Sequence, residues 1–103
     1  MFNGKISVKE RQTIYIDGSN FNSRKTFTQE IKSAFCFEDS LNIKNWNVMQ
    51  DCLYGGYGII DYREEFILIW QNFKKSQHKI SEKELREMLD LLQEMDHIDL
   101  VFY

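Results

Sequence analysis

Three short runs of strand-forming residues, Thr13-Ile14-Tyr15-Ile16, Phe66-Ile67-Leu68-Ile69-Trp70 and Ile98 to Tyr103, lie far apart in this chain, and the stretches between them are helical in pattern. No run is joined to the next by the two-residue turn of a hairpin, so the connections must be crossovers. Crossovers that carry helices give a parallel sheet with helices packed on it. The sequence therefore predicts an α/β fold: a small three-stranded, mostly parallel sheet packed with about four helices. The middle run is nearly all apolar, the pattern of a strand covered on both faces.

The helical stretches carry their own boundaries. Thr26 and Gln29 have capping-box spacing, and Phe27, Ile31, Ala34 and Phe35 recur at helical intervals as one apolar stripe. Asn45 is an N-cap for a second helix, and Tyr54-Gly55-Gly56-Tyr57-Gly58 must end it, because so many glycines cost too much backbone entropy to stay helical. A third, short helix begins at Phe73. Ser81-Glu82-Lys83-Glu84 is a capping box that opens a fourth, with Leu85, Met88, Leu89 and Leu92 as its buried stripe. Residues 12–103 form one expected domain, and polar, aperiodic Met1 to Arg11 an arm or extra edge segment before it.

With 103 residues, 43% of them apolar, the chain can bury a real core in a single domain. Its net charge is −3, and since Met1 to Arg11 hold +2, the remainder sits at −5. An acidic body is a poor nucleic-acid ligand, because that binding relies on Lys and Arg to neutralise phosphates. It suits a cationic protein. Cys36 and Cys52 fall among apolar residues on two predicted helices, where reduced, buried thiols are expected. No signal peptide or membrane-length apolar segment is visible, so the expected compartment is the cytoplasm. His78 and His97 stand apart from each other and from any Cys or carboxylate at ligand spacing, so no metal and no cofactor are expected. No phosphate loop, nucleophile elbow or local His-carboxylate motif points to an enzyme.

The stretch Asn45 to Gly55 carries the functional signal. At about 100° per residue, Val48, Cys52, Met49, Leu53 and Trp46 fill one apolar arc, while Gln50, Tyr54, Asn47 and Asp51 fill the other. The polar arc holds one carboxylate, one aromatic ring and no Lys or Arg, a face suited to a basic partner.

These residues also carry a resemblance. Asn45-Trp46-Asn47, then Asp51-Cys52-Leu53 and Gly55, are similar to the inhibitory helix of the barstar family, inhibitors of the secreted bacterial ribonuclease barnase. Trp70 and Phe73 fit that family's strand-to-helix Trp-x-x-Phe, and Tyr15-Ile16-Asp17-Gly18 its first strand and turn. The resemblance implies that Asp51 enters the ribonuclease's catalytic site in place of a substrate phosphate. It makes Asn47, Gln50, Tyr54 and Gly55 further contacts, and it aligns Asp90 with a peripheral contact Glu. Asn47 stands where the family usually has a second Asp, Leu41-Asn42-Ile43 where it often has Tyr-Tyr-Gly, and the link from Gly56 to Glu65 is long. Asp90 shares its helix face with Glu87 and Glu94, so from sequence a solvated charged surface and a contact remain equally open.

The expected function is that of a monomeric inhibitor binding a basic secreted ribonuclease or nuclease toxin 1:1 and occluding its active site. Two alternatives stay open: an immunity protein for another nuclease toxin, and an interaction or regulatory domain that inhibits no ribonuclease.

Overall fold

The computed structural model describes residues 11–103; the arm expected at Met1 to Arg11 lies, apart from Arg11, outside the described residues. The chain runs β1 (Gln12–Asp17), α1 (Arg24–Ala34), α2 (Trp46–Leu53), β2 (Phe66–Gln71), α3 (Phe73–Lys79), α4 (Glu82–Gln93) and β3 (Ile98–Phe102). The three strands form one sheet in the order β1-β2-β3, and both pairings are parallel. Ile14 lies opposite Leu68, and Leu68 opposite Leu100. This is the α/β architecture expected from strands without hairpins.

Alternation along the strands sends one row of side chains into the core. Ile14 and Ile16, then Phe66, Leu68 and Trp70, then Ile98 are buried, and Phe27 and Ile31 of α1, Met49 and Leu53 of α2, and Met88 and Leu92 of α4 join the same cluster. Trp70 is the centre of an aromatic group with Phe21, Phe27, Phe73 and Phe102 at centroid separations of 5.1–6.2 Å. Its indole N–H donates to Ser76 Oγ at 2.9 Å, so the one polar atom of the ring is satisfied inside the core. Among the described residues, β2 is fully covered on one face only. Ile67 and Ile69 are only half-buried, on a face that also carries exposed Thr13, Tyr15 and Asp99. The apolar run follows from β2 being the central strand, where neighbours on either side shield both rows of side chains.

Local chemistry sets the helix ends. The cap of α1 is Ser23, three residues before the expected Thr26: Ser23 Oγ accepts from Thr26 N–H at 3.3 Å and Thr26 Oγ1 accepts from Ser23 N–H at 3.0 Å. Thr26 is thus the third residue of the box, not its first. The helix also stops earlier than expected. Cys36 N–H donates to Ser33 O and Phe37 N–H to Lys32 O, the paired bonds of a Schellman end, with Cys36 at φ +56°. Cys36 is consequently exposed and outside the helix, which corrects the expectation of two buried helical thiols; Cys52 alone is buried.

Candidate functional site

Asn45 starts α2 as expected, its side-chain oxygen accepting from Val48 N–H at 2.9 Å. That bond fixes the helix rotation. Met49, Cys52 and Leu53 are buried, and Trp46 and Val48 half-buried against the core. The opposite arc faces outward: Asn47, Asp51 and Tyr54 are exposed and Gln50 is half-exposed. The four polar residues therefore lie on one open side of α2, and Asp51 is the only carboxylate among them.

Gly55 closes the helix in a conformation open to few other residues, at φ +103°. A β-carbon there would lie 2.0 Å from Asp61 O and 2.6 Å from Asp61 C, so Gly55 also lets the following loop fold back onto the helix end. That loop, the long link from Gly56 to Glu65, is tied back to the body of the protein. Tyr57 and Ile60 form a bridge, Ile60 is buried, and Arg63 N–H donates to Tyr54 O. On the other side of α2, Leu41 and Ile43 pack partly against the core, and Lys32 Nζ donates to Asp39 O at 2.9 Å and Leu41 O at 2.8 Å. The segment Leu41-Asn42-Ile43 thus serves packing through Leu41 and Ile43.

Helix α4 forms a second wall. A groove of about 220 Å³ runs between the helices, lined by Trp46, Asn47 and Gln50 from α2 and by Glu87, Asp90, Leu91 and Glu94 from α4. Asp90 is therefore beside the polar face of α2, together with the two glutamates that share its helix surface. Two hydrogen bonds cross between the helices. Trp46 Nε1 donates to Glu87 Oε2 at 2.9 Å, and Gln50 Nε2 donates to Glu94 Oε2 at 3.1 Å. Gln50 is thus already engaged with a carboxylate of its own chain.

Beyond the end of α2 a further recess of about 380 Å³ is lined by Tyr54, Arg63, Glu65, Glu94, Asp96 and His97. The Tyr54 ring stacks on His97, with centroids 5.2 Å apart and planes at 19°. The groove and the recess together carry the carboxylates of Glu65, Glu87, Asp90, Glu94 and Asp96 against the single guanidinium of Arg63. The surroundings of the polar face are strongly acidic.

Helical spacing singles out Asn47, Gln50, Asp51 and Tyr54, and the resemblance alone adds Gly55 and Asp90; the first five lie on or directly after α2, and Asp90 on the adjoining face of α4. His97, Arg63, Glu65 and Asp96 were missed as neighbours of that face. Only for His97 was there a signal, an imidazole directly before the last strand, and its spacing to Tyr54 conveys nothing.

Among the described residues, no group of His, Cys, Asp and Glu could hold a metal ion, and no helix is long and apolar enough to cross a membrane. A family model described as Barstar (barnase inhibitor) matches residues 11–99. No curated protein matches the chain.

Proposed function

The chain belongs to the barstar family, and from that membership we propose that it inhibits a ribonuclease by seating the polar face of α2 in the enzyme's active site. The family is one of inhibitors rather than enzymes. A ribonuclease site is cationic, since it must bind and cleave a phosphodiester. Asp51 supplies the carboxylate that takes the place of the phosphate, Asn47 and Gln50 supply hydrogen bonds, and Tyr54 supplies an aromatic contact. Gly55, buried under the loop at Asp61, acts by ending the helix beside Tyr54, and Asp90 makes a peripheral contact. The observation that carries this reading is the convergence of α2's exposed polar arc with the carboxylates of α4 in one acidic surface. Such a surface also steers a basic enzyme toward the face, so association slows as salt is added. The partner is a basic secreted ribonuclease, held 1:1 by a monomeric inhibitor in the cytoplasm of the cell that makes it.

Barnase, named in the family's description, is the probe for the test. The purified chain is expected to suppress RNA cleavage by barnase, and Asp51→Ala to weaken the complex by at least ~2 kcal/mol, the ordinary threshold of an interface hot spot. The direction of that effect is inherited from the family; the threshold is generic. Fold stability should change little, because Asp51 is exposed. Undiminished inhibition by both Asp51→Ala and Tyr54→Ala would remove α2 from the contact.

Asn47 favours a second reading, an immunity protein for a nuclease toxin unlike barnase, because the neutral amide stands where the family usually carries a second carboxylate. Asn47→Asp should tighten binding to barnase if the contact is barnase-like. Unchanged or weaker binding would favour the immunity reading.

A further inference from the structure

Tyr54 is the one aromatic side chain on the polar face of α2, yet α2 alone does not determine where its ring lies. One side of the ring rests on His97, from the turn before β3. His97 is in turn held by three other contacts. Its Nε2 donates to Leu53 O at 2.7 Å, one of the last carbonyls of α2, which have no partner within the helix. The ring of Phe66 meets the imidazole edge-on at 5.6 Å and 77°. Finally, Phe66 N–H donates to His97 O at 3.0 Å and ties the His97 backbone to the start of β2. The imidazole is a fixed, flat platform.

Resting on the inhibitor reading above, we propose that His97 is a specificity-determining positioning residue: it holds the Tyr54 ring in its binding orientation and leaves the opposite ring face for a cationic side chain of the ribonuclease. Two arguments support this. A tyrosine that must be ordered on binding loses rotamer freedom at that moment, and one already stacked on a rigid partner has lost it beforehand. Tyr54 remains 39% exposed and lines a recess whose walls carry Glu65, Glu94 and Asp96 against Arg63, whose guanidinium lies over the Tyr62 ring at 5.4 Å, so a Lys or Arg side chain there gains both the Tyr54 ring and a surplus of negative charge. His97 touches no partner atom in this scheme. It acts through Tyr54.

The test is a double-mutant cycle read by calorimetric titration with barnase, joined to NMR spectra of the free protein. His97→Ala should weaken binding about five- to tenfold in the wild-type background and by less than about twofold in the Tyr54→Ala background. His97→Phe keeps a flat ring beneath Tyr54 and should restore affinity to within about twofold, whereas His97→Gln keeps a donor for Leu53 O without a ring and should not. In the free wild-type protein, Tyr54 ring protons should show ring-current shifts and cross-relaxation to His97, both lost in His97→Ala and regained in part in His97→Phe.

Equal losses in the two backgrounds, or rescue by Gln rather than Phe, would mean that His97 only braces the helix end and would overturn the proposal. Tyr54 resonances indifferent to His97→Ala would overturn it without reference to any partner. These failures are distinct from failure of the inhibitor reading: they leave the Asp51→Ala effect intact, whereas absence of any binding by the wild type overturns both.

Discussion

At Asp17 the fold itself controls the protonation of a side chain. Its Oδ1 accepts from Ser19 Oγ at 2.6 Å, from Asn72 Nδ2 at 2.8 Å and from Ser19 N–H at 2.9 Å. These bonds, the Ser19 hydroxyl foremost and then Asn72, hold the carboxyl below its ordinary value of 3.8; burial opposes them and Lys75 assists weakly. A carboxyl whose value is lower in the folded state than in the unfolded chain stabilises the fold above the unfolded value, and that contribution disappears as pH falls through the folded one. Asp17→Asn should therefore cost about 1 kcal/mol at neutral pH and flatten the loss of stability on acidification below about pH 4. Urea unfolding over a pH series checks this, and curves of equal slope for the two proteins would contradict it. The cysteines supply a second prediction at this scale. Cys36 is exposed, while Cys52 is buried and its thiol is pushed up by burial and then by the charge of Asp51. A thiol reagent without denaturant should modify one cysteine quickly and the other only on unfolding, since the thiolate is the reactive form. Side-chain direction on α2 was legible because one cap and a 3.6-residue period fix it. The partnership of Tyr54 with His97 was not, because it joins residues brought together only when β3 docks.

Among the elements, helix ends mark where local reading succeeds and where it stops. Asn45 and Ser81 cap α2 and α4 as their spacing implies, each accepting from the N–H three residues on. Glu84, however, does not complete a reciprocal box with Ser81; its carboxylate accepts from Arg24 N–H at 2.8 Å, at the first turn of α1. A carboxylate can serve either helix end, and the approach of α4 to α1 decides between them. The C-terminus of α1 was misjudged for a related reason. Phe35 belongs to the apolar stripe and suggests continuation, but the Schellman bonds turn the chain at Cys36, a non-glycine residue held at φ +56°. That conformation brings Cβ too close to the following carbonyl, so Cys36→Gly should stabilise the protein by about 1 kcal/mol, with the entropy of glycine offsetting part of the gain. Thermal unfolding at a single pH measures it. A destabilised glycine variant would mean that the Cys36 side chain makes a contribution larger than the backbone strain.

For the whole molecule, the parallel class of the sheet was legible from the absence of hairpins, and the acidity of the body from composition alone. The acidic wall around α2 was not, because Glu65 comes from the loop before β2 and Glu87, Glu94 and Asp96 from the stretch 87–96, and only the fold sets both beside α2. The parallel order β1-β2-β3 has a consequence for how the molecule is assembled. Gln12 pairs with Phe66, and Phe66 with Ile98, separations of 54 and 32 residues, so each strand pairing closes a long loop before it is rewarded. Such contact order places refolding on a scale of about milliseconds to seconds, slower than a helical bundle of this size. The chain contains no proline, so no isomerisation lasting tens of seconds should follow the main phase. Stopped-flow refolding monitored through buried Trp70 would reveal both the main rate and any slow tail. Because Leu53 O and Tyr54 lean on His97, the last turn of α2 should reach its native signal only with that main phase, when the third strand joins the sheet.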